Sequence, residues 1–298
     1  MEHCRVCDSE ALGEQIVLHE MMFETHAPFA YVPCTACGCL QIVDPPADMA
    51  SHYGPGYYSF GAGNASIKGK LRDWLTLHGP AALFGDKDWY VRGDWRSVAD
   101  LPRSASIIDV GCGSGGFIRE LRRFGFNASG ADPFIAQPVM DGDSLLVAQC
   151  AIEDITQHYD VVMMHHSLEH VPDQVGTLAE VRRILNPGGT AIIRVPVIDS
   201  WAAGYFGDKW AHLDPPRHFF LHTRKSLALA AERAGLKVTQ IRDDFNEFGV
   251  RGSMAAQAGL SSISPEPVNP ARFAELIALQ RKAAKNGQGD MVTMFASA

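Results

Sequence analysis

The sequence predicts an α/β fold, strands alternating with helices, behind a small cysteine-bearing module. Three observations predict it. Residues 106–121 read Ser-Ile-Ile-Asp-Val-Gly-Cys-Gly-Ser-Gly-Gly-Phe-Ile-Arg-Glu-Leu: an apolar run, a turn on glycines, then apolar residues at helical spacing. Downstream, short apolar runs and segments of helical period keep alternating. Upstream, Cys4-Arg-Val-Cys7 and Cys34-Thr-Ala-Cys37 form two C-x-x-C pairs.

Composition bounds the rest. The 298 residues suffice for one large domain and a small one. Apolar content of 46% with 20% charged residues predicts a soluble globular protein. The net charge is −8 and no basic run occurs, so nucleic acid is not an expected partner. No apolar run approaches the ~18 residues of a membrane span, and the N-terminus lacks an apolar signal region. Seven cysteines in a chain this long do not read as a disulfide scaffold, so a reducing cytoplasm is the expected setting.

The elements follow in order. Each C-x-x-C pair places two thiolates on one turn, and Cys4, Cys7, Cys34 and Cys37 together can make a tetrahedral four-sulfur zinc site. Four cysteines close the coordination sphere, so that metal would be structural. Some 45 residues are too few for a good core, and zinc would substitute for one. Cys39 lies one residue too far along to be an equal ligand. Next, residues 51–60 are aromatic and glycine-rich, and 67–78 and 80–100 read as helices carrying tryptophans at 74, 89 and 95. Residues 144–149 form a strand. Helices are expected over 173–185 and 226–235, the latter ended by Gly235. Residues 236–241 and 290–296 read as strands.

The glycine turn is built to hold a nucleoside-like cofactor, because glycines admit close approach and a helix N-terminus offers free N–H groups. Gly111, Gly113 and Gly116 satisfy G-x-G-x-x-G; Gly111, Gly113 and Gly115 satisfy G-x-G-x-G equally well. Asp109 discriminates. A carboxylate two residues before the first glycine is poorly placed beside a pyrophosphate and suits a ligand with an amino group and a sulfonium. Asp132, 21 positions after Gly111, can bind ribose hydroxyls in either case.

Asp109-Val-Gly-Cys-Gly-Ser-Gly115 resembles motif I of class I S-adenosylmethionine-dependent methyltransferases. Residues 159–172 resemble their fourth strand and the loop after it, and 185–196 the turn into their fifth. The resemblance implies a seven-stranded Rossmann-like sheet with an antiparallel last strand. Domains would span 1–45 (zinc-ribbon-like module), 46–103 (helical connector and lid) and 104–298 (methyltransferase). An insertion at 246–288 would carry helices near 250–258 and 270–285. The implied cofactor is S-adenosylmethionine, held by Asp109, Gly111, Gly113, Ser114, Gly115 and Asp132, with Ile152 and Glu153 at the adenine and His165 nearby. A Cys4 module followed by a Tyr-Tyr-Ser-Phe segment resembles the zinc-containing methyltransferases of bacterial sugar and polysaccharide gene clusters. That implies lid residues among Tyr53, Tyr57, Tyr58 and Phe60, and a sugar-like small-molecule acceptor.

Acceptor chemistry is expected in two histidine-rich segments. His165, His166 and His170 follow the fourth strand, with Glu169 among them. His212, Asp214, Arg217, His218 and His222 lie within residues 210–223. A histidine pKa near 6.5 suits base work at neutral pH; taken singly each of these reads more readily as a hydrogen-bonded structural histidine, His165 above all, while the cluster as a whole reads as functional. His218 is the expected base, with His166 and His222 after it. Tyr58, His170, His212 and Arg217 are expected at the acceptor. Sugar C-methyltransferases carry Glu-His where this chain has Arg217-His218, which departs from ketosugar C-methylation. Two other readings stay open: an NAD-dependent sugar oxidoreductase, for which Tyr205 and Lys209 form a Tyr-x-x-x-Lys pair, and a scaffold that binds a protein through its cysteine module. Gly204 and Gly207 argue against the helix that the Tyr-Lys pair needs.

Overall fold

A computed structural model describes residues 1–53, 97–98 and 100–298. The two expected helices over 67–78 and 80–100, with their tryptophans, fall outside these residues almost entirely; Tyr57, Tyr58 and Phe60 fall outside altogether.

Strand β4 (Ser106–Val110) leads through the glycine turn into α1 (Gly116–Arg123), which buries Ile118 and Leu121. Then come β5 (Asn127–Ala131), β6 (Val139–Asp141), β7 (Ser144–Ala148) and β8 (Tyr159–His165). Helix α2 (Gln174–Arg183) is capped by Asp173, whose side chain accepts from the Gly176 N–H. Strand β9 (Leu185–Pro196) completes the centre of the sheet, and β11 (Lys237–Asp244) and β12 (Met291–Ser297) complete its far side. The order is β11-β12-β9-β8-β4-β5-β7-β6. Pairing is parallel from β7 to β9, and β12 runs antiparallel to both neighbours. Seven of these strands match the expected Rossmann-like sheet. The eighth, β6, was not expected: it forms a hairpin with β7 through Gly142 at φ +62, the geometry a tight two-residue turn needs. Between β11 and β12 lie α5 (Glu247–Gln257) and α6 (Pro270–Lys285). Among the described residues no helix is long and apolar enough to cross a membrane.

One expectation fails. Despite Gly204, residues Trp201–Phe206 form a short helix, α3, capped by the Ser200 hydroxyl on the Ala203 N–H. Gly207 then turns to φ +56 and the helix stops before Lys209, so Tyr205 and Lys209 still do not share one helix.

The N-terminal strands β1 (Ile16–His19), β2 (Pro28–Pro33) and β3 (Leu40–Ile42) form an antiparallel meander. Its fourth strand, β10 (Phe220–Leu221), comes from far along the chain, Phe220 pairing with Gln41, just ahead of α4 (Arg224–Arg233). The meander therefore shares its sheet and its core with the main fold: Cys4, Tyr31 and Ile42 pack in one buried cluster with Phe220, Leu227, Val162 and Ile193.

Candidate active site

The chain visits β4, β5 and β7 on one side of the sheet, then returns to β8 on the other. Ligands in open α/β sheets bind at such a switch, outside the carboxyl ends of the strands. Asp109, near the end of β4, is 3% exposed, and its Oδ1 accepts from the His165 N–H at 3.4 Å. Gly111, Gly113 and Gly115 all have positive φ (+76, +56 and +72). A Cβ on Gly111 would sit 2.5 Å from Cβ of Ser167, and one on Gly115 2.5 Å from Cγ2 of Val147. Gly116 has no positive φ, and a Cβ there would meet nothing within 4 Å. The backbone thus requires G-x-G-x-G, while the third glycine of the dinucleotide fingerprint has no steric reason to be one. Asp132 fixes the loop: Oδ2 accepts from the Gly113 N–H and Oδ1 from the Phe134 N–H, both at 2.8 Å. Each oxygen keeps a lone pair that can accept a further hydrogen bond. Ser114 is half-buried in the same turn. Ile152 is buried and Glu153 exposed on a 3₁₀ turn after β7, which Arg183 holds through the Ile152 carbonyl at 3.0 Å.

The segment after β8 lies directly on this loop, since the Ser167 hydroxyl donates to the Val110 carbonyl at 2.7 Å. His165 packs on Phe117, ring centroids 5.4 Å apart, with Nε2 3.3 Å from the Ser97 hydroxyl. His166 has φ +55, a strained conformation for a residue with a Cβ and of the kind that gathers at functional sites. Its Nε2 meets an Arg194 Nη1. A guanidinium only donates, so His166 accepts there and carries its proton on Nδ1, 3.8 Å from Glu169 Oε1. Arg194 is held in turn by Asp244 at 2.9 Å.

The second segment, whose β10 pairs with β3, brings His218 to the same place. His218 Nδ1 stands 2.7 Å from the His212 carbonyl. A carbonyl only accepts, so Nδ1 is protonated and the Nε2 lone pair is free. His170 repeats the pattern: Nδ1 is 2.9 Å from the Arg217 carbonyl, and the Tyr53 hydroxyl lies 3.4 Å from the same nitrogen. The two imidazoles meet edge to face at 4.7 Å. Ligand atoms of Glu169, His170 and His218 all lie within 4.8 Å of one another. Burial holds His218 well below its ordinary pKa and lowers His170, and it raises the Glu169 carboxyl to about 8. His212, at the head of the segment, donates from Nε2 to Asn246 Oδ1 at 3.3 Å, and burial lowers its pKa to about 4.

Two expected site residues are committed to the protein. Arg217 is fully buried. Its Nε and Nη2 donate to Asp214, Nη2 also to Glu20 at 2.8 Å, and Nη1 to the His52 carbonyl at 2.9 Å. His222 is fully buried, with Nε2 2.8 Å from Gln174 Oε1 and Nδ1 3.0 Å from the Ser226 hydroxyl. Gln174 in turn donates to the Leu168 and Val171 carbonyls at 2.6 and 2.8 Å, clamping the turn that carries Glu169 and His170. Sequence reasoning missed Ser167, Gln174, Arg194 and Glu20. A polar residue at a predicted helix start beside a histidine-rich loop was the one available signal, and it pointed to Gln174.

The four cysteines stand apart from this site. Cys4 and Cys37 sulfurs are 3.7 Å apart and Cys7 and Cys34 sulfurs 3.6 Å, all four within 4.8 Å. Zinc–sulfur bonds of about 2.3 Å would space tetrahedral sulfurs by about 3.8 Å, so the set fits zinc. The residue after each pair is left-handed, Asp8 at φ +63 and Gly38 at φ +79. The hydrogen bond with Cys37 pulls the Cys4 thiol down to about 4 and pushes the Cys37 thiol up. Cys39 is fully buried with its sulfur 3.8 Å from the Leu40 carbonyl, outside the set.

Residues 93–241, half of the chain, match the family described as "Methyltransferase domain". The sterol 4-C-methyltransferase of Caenorhabditis elegans is 25% identical over 173 residues, covering 51% of this chain and 50% of its own. The 2-methyl-6-phytyl-1,4-hydroquinone methyltransferase of Synechocystis is 29% identical over 115 residues, 35% of this chain and 36% of its own. The chain thus spans half or less of the length of these curated relatives. Among solved structures, the 1,6-didemethyltoxoflavin-N1-methyltransferase of Burkholderia thailandensis, with bound 1,6-didemethyltoxoflavin and S-adenosylhomocysteine, aligns with a TM-score of 0.42 at 17% identity. It covers 90% of this chain and 94% of its own.

Proposed function

We propose that this chain, which belongs to the methyltransferase domain family, transfers the methyl group of S-adenosylmethionine to a small polar acceptor. The glycine turn carries the reading: three left-handed glycines in the G-x-G-x-G positions, with Asp109 buried before them and Asp132 clamped behind. Asp109 would take the cofactor's amino group, Asp132 its ribose, and the 152–153 turn its adenine.

Methyl transfer is an in-line displacement from a good neutral leaving group. Holding the reactants in line supplies about 7–11 kcal/mol of the barrier, and a general base about 3–5.5 kcal/mol. Positioning therefore dominates, but a proton acceptor is at hand. The Nε2 lone pair of His218 is fixed by its Nδ1–H bond to the His212 carbonyl. Arg217 stands where a carboxylate would precede the histidine, and Glu169 offers a carboxyl oxygen within 4.8 Å of a ring nitrogen of His218. Arg217 itself then acts by holding Asp214 and Glu20, and the buried His222 by holding Gln174. A polar cluster of one carboxyl and two imidazoles supports a polyhydroxylated acceptor, of which a sugar or nucleotide sugar is the favoured class. The names of the two relatives supply a second reading, an acceptor of sterol or hydroquinone kind.

The thiolates of Cys4, Cys7, Cys34 and Cys37 would hold a structural zinc that cross-links the N-terminal turns. Reduced thiolates suit a reducing cytoplasm.

Calorimetric titration with S-adenosylmethionine and with NAD⁺ tests the donor. Saturable binding of the first alone is expected, and binding of NAD⁺ alone would overturn the reading. A labelled methyl donor offered with nucleotide sugars, sterols and hydroquinones tests the acceptor. His218→Ala should keep cofactor affinity and lose about 10²–10⁴-fold in turnover; unchanged turnover removes His218 from that role.

A further inference from the structure

The cluster of Glu169, His170 and His218 has a property that a base alone does not require. Both imidazoles donate Nδ1–H to backbone carbonyls, of Arg217 and of His212, which leaves both Nε2 lone pairs free. Metal-bound histidines are oriented in this way, their second nitrogen donating to a carbonyl or carboxylate. Glu169, which offers an oxygen within 4.8 Å of a ring nitrogen of each imidazole, is 1% exposed, and neither of its carboxylate oxygens has a hydrogen-bond partner. A buried carboxylate without partners is costly unless a cation or a hydrogen bond completes it. The surroundings do not complete it directly. Arg194 is taken up by His166 and Asp244, and His166 Nδ1 approaches no nearer than 3.8 Å. Asp214 lies 3.9 Å from His218 Nε2 but is bound to Arg217.

We propose that Glu169, His170 and His218 form a two-histidine, one-carboxylate site for a divalent first-row metal ion, separate from the four-cysteine site. Three ligand atoms within 4.8 Å of one another have a centre about 2.8 Å from each at most, so bonds of about 2.1 Å need each atom to move by less than about 1 Å. Three protein ligands leave coordination positions open, as catalytic metal sites do. A vicinal diol or a hydroxyl beside a carbonyl could fill them, and the ion would then lower the pKa of the hydroxyl that receives the methyl group. The lone pairs that accept a proton in the ion-free protein hold the cation instead. Only this last step rests on the methyl-transfer reading; ion binding does not.

The probe is Mn²⁺, followed by electron paramagnetic resonance on the purified full chain without cofactor or acceptor. Manganese favours nitrogen and oxygen over thiolates, so the cysteine site does not answer it. The expected result is one saturable Mn²⁺ per chain, weakened at least about tenfold by Glu169→Gln and by His170→Asn. Absence of saturable binding to the wild-type chain overturns the proposal, as does binding that both substitutions leave unchanged. If Glu169→Gln fails to fold, the wild-type and His170→Asn measurements decide. Methyl transfer is read in a separate assay with labelled S-adenosylmethionine. Ion binding without transfer would sink the function proposed above and spare the site; transfer without ion binding would do the reverse.

Discussion

At the scale of the residue, Gly111 and His222 show what the sequence displays and what it hides. Gly111 was legible because its requirement is local: a left-handed φ of +76 that other residues rarely adopt. The structure adds a second constraint, since Ser167 packs against the missing side chain. Gly111→Ala should therefore abolish measurable S-adenosylmethionine binding in calorimetry and destabilise the fold by about 1–3 kcal/mol; binding within about twofold of wild type would refute the close fit. His222 looked like chemistry in the sequence because its partners, Gln174 and Ser226, cannot be seen from a histidine-rich loop. Burial lowers its pKa from 6.5 to about 4. The folded protein keeps this ring neutral while the unfolded chain protonates it, so its stabilisation is present above pH 6.5 and is lost as pH falls towards 4. The full shift corresponds to about 3 kcal/mol. Urea unfolding should show His222→Gln losing about 1–2 kcal/mol less than wild type between pH 7 and pH 5. Equal losses would mean that the ring already titrates normally in the fold.

At the scale of the element, the strand–turn–helix units were readable because each states its own period, and their ends shifted by only a few residues. The misses are the elements whose reason lies elsewhere. Strand β6 has three residues and exists by pairing with β7; β10 has two and exists by pairing with β3. Helix α3 forms across Gly204 because the Ser200 cap and burial of Ala202 and Phe206 outweigh a glycine cost of about 1 kcal/mol. The turn over Leu168–His170 belongs to this class as well. Its shape is set by the first residue of the next helix, through the two hydrogen bonds that Gln174 donates. Gln174→Leu should cost about 1–3 kcal/mol of stability by leaving buried carbonyls unpaired. It should also lower kcat about tenfold to a hundredfold through misplacement of Glu169 and His170. Affinity for S-adenosylmethionine should stay within about twofold, because the glycine loop keeps its own anchor on Asp132. A parallel loss of cofactor affinity would show that turn and loop move together.

At the scale of the whole molecule, the sequence divides where the structure joins. A cysteine module far ahead of the glycine turn reads as an appendage, yet β10 completes its sheet and a single buried cluster runs through both parts. The links are long-range and therefore silent in the sequence. Arg217 reaches Glu20 across 197 positions, Tyr31 donates to the His218 carbonyl across 187, and the Thr223 hydroxyl donates to the Cys37 carbonyl across 186. All three bind the segment that carries the proposed base, so the cysteine site and the acceptor site share a frame. Zinc removal should then not release a small domain and leave the rest intact. Chelation, or Cys37→Ser, should lower the unfolding temperature of the entire chain in one calorimetric transition. A loss of about 3 kcal/mol would move Tm by about 6–12 °C in a chain of this size. Below that transition, S-adenosylmethionine binding should survive better than methyl transfer, because β4, β5 and their glycine loop touch the meander less directly than residues 217–223 do. A calorimetric trace that splits in two, with the larger transition at the wild-type temperature and full transfer activity retained, would show instead that the cysteine module folds as a separate unit.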